Sequence, residues 1–158
     1  MVRDEHGHVL KTDSEAEEWM FAGMAVRLAI DLGLHLHVDD ETGIADEDKR
    51  LNQLVFWAVV LLDFALAFGT GRQPTFRVAE ISQPLPADED LPVTPHSPRH
   101  PYPYACRMMF SYGRLIELLN STEPDVDGSK QRNIQKCKLK AVREYAHLPP
   151  DIRWDVQK

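Results

Sequence analysis

Cysteine is scarce in this sequence: Cys106 and Cys137 are the two present in 158 residues. Two isolated thiols cannot build a disulfide framework or a thiolate zinc site, and they fit a reducing compartment. Positive charge is also in deficit. Eighteen Lys and Arg face twenty-five Asp and Glu, a formal net charge of −7. That is the wrong sign for a surface that neutralises phosphates, so this segment is not expected to grip DNA or RNA by itself. The start, Met1-Val2-Arg3-Asp4-Glu5-His6-Gly7-His8, carries acids where a signal peptide needs an apolar run, and it lacks the Arg-rich look of a transit peptide. The expected location is cytosol or nucleus. What is present is globular in character: 43% apolar and 27% charged residues argue against global disorder, collagen-like repeats and a membrane protein. The length fits one compact domain or a piece of a larger one.

Charge is unevenly placed. Residues 1–50 carry thirteen acids and five bases, whereas residues 101–158 carry seven and ten. Ser14-Glu15-Ala16-Glu17 reads as a capping box opening a helix, with acids in the first turn where the helix dipole favours them. Trp19, Gly23, Val26 and Ile30 recur at helical spacing. Gly33 is placed to cap the helix after Leu32 in the left-handed conformation, with Leu34 folding back on Leu28 or Ala29. Asp46-Glu47-Asp48 offers a second start. From Leu54 to Phe68 fourteen of fifteen residues are apolar, Asp63 excepted, which predicts a core helix sheathed on all sides by protein. Those fifteen residues rise only about 22 Å, short of a bilayer's roughly 30 Å. Gly69-Thr70-Gly71 ends that helix. Residues 74–103 then hold eight of the eleven prolines, which predicts an irregular segment lying on or beside the helices. Ala105, Met108, Met109, Tyr112, Leu115, Ile116 and Leu119 mark a third helix over 104–119. Ile134, Cys137, Ala141, Tyr145 and Leu148 mark a fourth, with Arg132, Lys136, Lys140 and Arg143 on a neighbouring stripe and Pro149-Pro150 at its end. Trp154 beyond them calls for burial. The expected fold is all-α and irregular, built on a central buried helix and a long Pro-rich loop, as an incomplete piece of a larger helical domain.

Ligand-type residues cluster once, at His35, His37, Asp39 and Asp40. Imidazoles and carboxylates together could hold zinc or iron, although the spacing matches no catalytic signature. His6 and His8 repeat the spacing in the N-terminal tail. Arg27 and Asp31 stand i, i+4 on an apolar helix, and Asp63 interrupts another, so each needs a partner if buried. Arg27 or Arg72 is the expected partner of Asp63. The loop Gly69-Thr70-Gly71-Arg72-Gln73-Pro74 lacks the strand and lysine of a P-loop, no Gly-x-Ser-x-Gly elbow occurs, and neither cysteine is placed beside a histidine. The basic stripe on the fourth helix reads first as a solvated face, and otherwise as a contact for an acidic partner or nucleic acid.

The stretch Trp19-Met20-Phe21-Ala22-Gly23-Met24-Ala25-Val26-Arg27-Leu28-Ala29-Ile30-Asp31-Leu32-Gly33-Leu34-His35, followed by Phe56-Trp57, Asp63 and Gly71-Arg72-Gln73-Pro74, resembles the middle homology region of fungal transcription factors with a binuclear zinc cluster. That region is also called the fungal-specific or xylanolytic-activator-type regulatory domain. The similarity is good over about residues 15–90 and looser beyond. Lys49-Arg50-Leu51-Asn52-Gln53 stands where the family has several arginines, Phe64 where it commonly has Arg, and Gln73 separates Arg72 from Pro74. The resemblance implies an all-helical regulatory module of a nuclear regulator, with no catalytic residues and no cofactor in this chain. Trp19, Gly23, Arg27, Asp31, Gly33, His35, Phe56, Trp57, Asp63, Gly71, Arg72 and Pro74 would be its structural motif positions. Zinc and DNA contact are implied only for the six-cysteine cluster that precedes this region in the family. The implied partners are other domains of the parent regulator, the transcription machinery and, in some members, a small-molecule inducer; no membrane is implied. Two other readings stay open from the residues alone: a small helical metal-dependent hydrolase using the His35 cluster, and a plain helical interaction module.

Overall fold

A computed structural model describes residues 13–37, 43–87, 91 and 100–153, with side chains from Ala16 onward. Four helices carry it: α1 (Asp13–Asp31), α2 (Asp46–Thr70), α3 (Tyr102–Leu119) and α4 (Ser129–Ala146), with one 3-10 turn at Val78–Glu80. No strand occurs among the described residues. Each helix packs on the next in sequence, α1 on α2, α2 on α3 and α3 on α4. The fold is all-α, as the sequence predicts.

The end of α1 follows the sequence closely. Gly33 takes φ 70°, its N–H donates to Ile30 O at 2.9 Å, and the Leu34 N–H donates to Ala29 O at 2.9 Å. These two bonds define a Schellman end, and only a residue without Cβ occupies that backbone region cheaply. The start of α1 lies one residue ahead of Ser14, so Ser14 falls inside the first turn; its side chain is outside the described residues. The buried face also differs from the expected stripe. Ala22, Val26 and Ala29 face inward, whereas Gly23 and Ile30 are exposed.

Gly23 has nothing within 4 Å of where a Cβ would stand. A glycine inside a helix with open space around it gives up backbone entropy for no packing return. Gly23→Ala is therefore expected to raise stability by about 0.5–1 kcal/mol, read as a higher urea midpoint with an unchanged slope. A loss of stability would show that the position is crowded.

In α2, Ala45 is the cap and Asp46, Glu47 and Asp48 occupy the first turn, so Asp46 is not the cap; Gly71 closes the other end at φ 69°. One face carries Phe56, Trp57, Val60, Asp63, Phe64 and Ala67, all buried. They join Val26, Phe76, Cys106 and Ile116 in the central cluster. The rings meet edge to face: Phe56 and Trp57 at 5.8 Å, Phe56 and Phe76 at 5.4 Å, Trp57 and Phe110 at 5.5 Å. Each large side chain so buried contributes roughly 1.5–3 kcal/mol.

Two expectations about α2 need correction. The helix is not sheathed on all sides: Leu51 is 57% exposed, and Val55 and Leu62 are each 42% exposed. The reason is geometric, since α1 and α3 are its packed helical neighbours and two neighbours cover one side of a cylinder. Its 25 residues are also long and apolar enough to cross a membrane by length and composition. Length therefore does not exclude a span. The packing described above, with a bonded carboxylate inside it, is what marks α2 as a core helix.

α3 begins at Tyr102, two residues before the expected start, with Pro103 in its first turn, where a missing N–H costs nothing. Leu115 and Ile116 are buried as their spacing predicts, but Ala105 and Leu119 are exposed. α4 follows Gly128, and the Asp125 carboxylate accepts from the Lys130 and Gln131 N–H groups at 3.0 Å each. Ile134 and Ala141 are its buried residues, and Trp154 lies outside the described residues.

Candidate functional site

The most organised polar chemistry in the molecule holds an irregular strap, residues 72–87, against α2 and α3. Extended backbone without a sheet partner leaves N–H and C=O groups that must be satisfied when they are covered. Side chains from the helices do this. Asp63, 2% exposed, accepts from the Thr75 N–H at 2.7 Å and the Phe76 N–H at 2.9 Å, both through Oδ2. Glu117, 5% exposed, accepts from the Val78 N–H at 2.8 Å through Oε1 and from Arg114 at 2.7 Å through Oε2. Trp57 Nε1 donates to Pro84 O at 2.6 Å, and Gln53 donates to the same oxygen at 2.9 Å.

Further contacts tie the strap's ends. Asn120 donates to Ala67 O at 3.0 Å and Arg72 O at 2.6 Å, joining the end of α2 to the end of α3. Gln73 donates to Glu117 O at 3.1 Å. In return, Gln83 donates from the strap to Leu34 O at 3.1 Å, just past the Schellman end of α1. Prolines Pro74 and Pro86 are buried along this path, where their lack of an N–H removes a donor that would otherwise need a partner.

The partner of Asp63 is thus not an arginine, which corrects the sequence expectation. Arg72 lies over the Trp19 ring at 4.7 Å, and Arg27 is exposed. Backbone N–H groups reach the carboxylate first because the strap turns back over α2 immediately after Gly71. Burial pushes the Asp63 carboxyl above its ordinary range, and the Phe76 and Thr75 hydrogen bonds oppose that without reversing it. Arg27 and Asp31 are both exposed, so neither requires a buried partner.

Trp57→Phe is expected to cost about 1–2 kcal/mol, because the Pro84 carbonyl loses a donor and the smaller ring leaves a gap. The urea midpoint measures it, and an unchanged midpoint would show that the Trp57–Pro84 bond contributes nothing.

The sequence-predicted metal residues are not drawn together by what is described. His35 is half-buried and its Nδ1 has no partner, His37 is exposed, and Asp39 and Asp40, like His6 and His8, lie outside the described residues. Among the described residues no group of three or more His, Cys, Asp or Glu could hold a metal ion. Cys106 is fully buried, and burial pushes its thiol up to about 11, which keeps it protonated and unreactive at neutral pH. A cleft of about 330 Å³ opens between the end of α1, the start of α2 and the strap, lined by Leu34, Leu36, Lys49, Arg50, Gln53 and Gln83 among others.

Of the motif positions, Phe56, Trp57, Asp63 and Pro74 are buried, Gly33 and Gly71 are left-handed helix ends, and Trp19 stacks with Arg72. The sequence reading missed Glu117, Gln53, Gln83 and Asn120. Glu117 carried a signal, as a charged residue among Leu115, Ile116, Leu118 and Leu119.

Such an arrangement defines an all-α domain whose buried polar groups fasten a proline-bearing strap. The chain belongs to the fungal specific transcription factor domain family, whose model matches residues 10–121. It is similar to an uncharacterized transcriptional regulatory protein of Schizosaccharomyces pombe, 24% identical over 86% of this chain and 26% of that protein. It is also similar to the nitrogen assimilation transcription factor nirA of Emericella nidulans, 32% identical over 55% of this chain and 10% of that protein. The thiamine repressible genes regulatory protein thi1 of S. pombe is 30% identical over 50% of this chain and 10% of that protein. The chain therefore spans from a tenth to about a quarter of the length of these relatives. No solved structure matches it.

Proposed function

We propose that this chain is the regulatory part of a nuclear transcription regulator and acts without catalysis. The observation that carries the reading is the use made of the buried acids. Both carboxylates are occupied by the chain's own backbone, Asp63 by the Thr75 and Phe76 N–H groups and Glu117 by the Val78 N–H. Membership of the family supports the same conclusion, as does the net charge of −7, which disfavours direct contact with DNA. DNA would then be read by a zinc cluster outside this chain, and the partners of these helices would be other domains of the regulator and proteins of the transcription machinery. Residues 1–158 would form part of one regulatory domain, with the strap inside it.

Fusing the chain to an unrelated DNA-binding module upstream of a reporter tests this in a fungal nucleus. The expected result is a several-fold change in reporter output relative to the module alone, abolished when Asp63→Ala loosens the strap. Unaltered output, together with divalent-metal-dependent hydrolysis that His35→Ala/His37→Ala removes, would replace the reading with an enzyme. A small-molecule inducer would be read at the cleft beside Lys49 and Arg50. Saturable uptake lost in Arg50→Ala is expected there, and uptake indifferent to that variant removes the cleft from the reading.

A further inference from the structure

A polar cleft of about 250 Å³ lies where the strap, α3 and the loop after α3 meet. Arg77 from the strap, Arg114 from α3, and Ser121 and Thr122 from the loop all line it. Cations from two elements thus share one small volume with two hydroxyls. Arg114 gives one nitrogen to Glu117 Oε2 at 2.7 Å, and the rest of its planar fork of donors stays available. Arg77 is exposed and makes no side-chain bond among the described residues. The acids on the same walls leave it unneutralised: Glu117 already accepts from the Val78 N–H and Arg114, and Glu123 is exposed to solvent. The two hydroxyls differ. Ser121 is half-buried and its Oγ accepts from the Glu123 N–H at 3.2 Å, whereas Thr122 is exposed. Residues 122–127 are exposed and belong to no helix, the condition for entering another enzyme's active site, and Thr122 is followed by the acids Glu123 and Asp125.

We infer that Thr122 is a phosphorylation site for an acid-directed protein kinase, and that Arg77 and Arg114 receive its phosphate. In the transfer, the bond from the γ-phosphorus of ATP to its bridging oxygen breaks and a bond to Thr122 Oγ1 forms. ADP leaves, and the hydroxyl proton passes to the kinase's catalytic base. The new group carries about 1.5 to 2 negative charges at neutral pH and three acceptor oxygens, which guanidinium forks take in pairs. A free anion would be held poorly here, because both arginines are exposed and water screens them. A phosphate tethered through Thr122 is delivered at high local concentration, so it pairs where a free one does not. The consequence falls on the strap. Arg77 immediately precedes Val78, whose N–H Glu117 holds, and Arg114 stands one turn before Glu117 on α3. Phosphate across the two arginines therefore adds a second fastener beside the first and makes the strap's grip on α3 responsive to modification.

Two samples of the full chain test this. One is treated with an acid-directed kinase and ATP and mapped by peptide fragmentation; the other carries genetically encoded phosphothreonine at position 122, so that the arginine contact is read independently of the kinase. The kinase is expected to add one phosphoryl group at Thr122 and none to Thr122→Ala. In the phosphothreonine chain, amide exchange at Phe76 and Val78 should slow about threefold or more relative to the unmodified chain. Its phosphorus resonance should titrate at lower pH than in the same chain carrying Arg77→Ala, which lacks one of the two cations. Arg77→Ala removes an exposed side chain, and its circular dichroism should match wild type. Inorganic phosphate at about 10 mM should leave exchange in the unmodified chain unchanged. A kinase that spares Thr122 or modifies Ser121 instead overturns the proposal. Unchanged exchange in the phosphothreonine chain, or slowing and titration that Arg77→Ala does not alter, overturns it equally. Equal slowing by inorganic phosphate assigns the arginines to a free anion and overturns it too.

Discussion

Gly113→Ala is expected to destabilise the domain by about 1–3 kcal/mol, the range for forcing an extra methyl into a packed interior, and Gly113→Val by more. A Cβ at Gly113 would stand 2.4 Å and 2.9 Å from two ring carbons of Phe64 and 2.6 Å from a methyl carbon of Val78. Neither neighbour can yield easily. Phe64 is fully buried in the central cluster, and Val78 is held by its N–H to Glu117. This glycine is needed for space and not for backbone freedom, since the positive-φ glycines are Gly33, Gly43, Gly71 and Gly128. Urea denaturation measures the loss. A midpoint equal to wild type would mean that α3 can move away from α2 at no cost, contrary to the packing described.

Asp63→Ala is expected to cost about 2–5 kcal/mol, because it strands two covered N–H groups, each worth roughly 1–3 kcal/mol when left unpaired. The effect should be concentrated in the strap. Amide exchange at Thr75 and Phe76 should rise ahead of exchange in α4, which has no bond to this carboxylate. Asp63→Asn keeps one oxygen that can accept both N–H groups, so it should be milder. Equal losses in the two variants would show that charge, and not acceptance of the two bonds, matters at this site.

The same pair gives a pH test. Burial raises the Asp63 pKa above its ordinary 3.8, so between that value and the raised one the folded chain binds more protons than the unfolded chain. Stability attributable to this group is therefore greatest at acid pH and falls as pH rises through the window, levelling above it. Measured against Asp63→Asn, which cannot titrate there, the wild type should lose ground as pH rises from about 3.8. A wild type that gains relative to Asp63→Asn over that interval would mean that the two hydrogen bonds outweigh desolvation.

Particular residues show how far the sequence could be read. Gly33 and Leu34 announced their helix end because both halves of that motif lie within six residues, and local geometry needs no distant partner. Asp63 was recognisable as a charge requiring company, but its company was not. Backbone N–H groups belong to every residue, so nothing in the letters Thr75 and Phe76 marks them as donors, whereas Arg27 and Arg72 advertise charge. Gly113 offered a hint, a glycine within an unbroken helical pattern, without naming Phe64 or Val78 as the neighbours that require it. Of the His35, His37, Asp39, Asp40 cluster, His35 is half-buried and His37 exposed, while Asp39 and Asp40 lie outside the described residues.

By itself the sequence determined four helices, their approximate limits, the family, and an apolar α2 carrying one acid, because helical periodicity, caps and glycine conformations depend on near neighbours. Only the tertiary structure decided which side of α2 is core and which is bare, and that Asp63, Glu117 and Trp57 hold the strap. Those outcomes depend on contacts between residues separated by 12–39 positions. A sequence periodicity fixes which residues share a face; it carries no information about what that face meets.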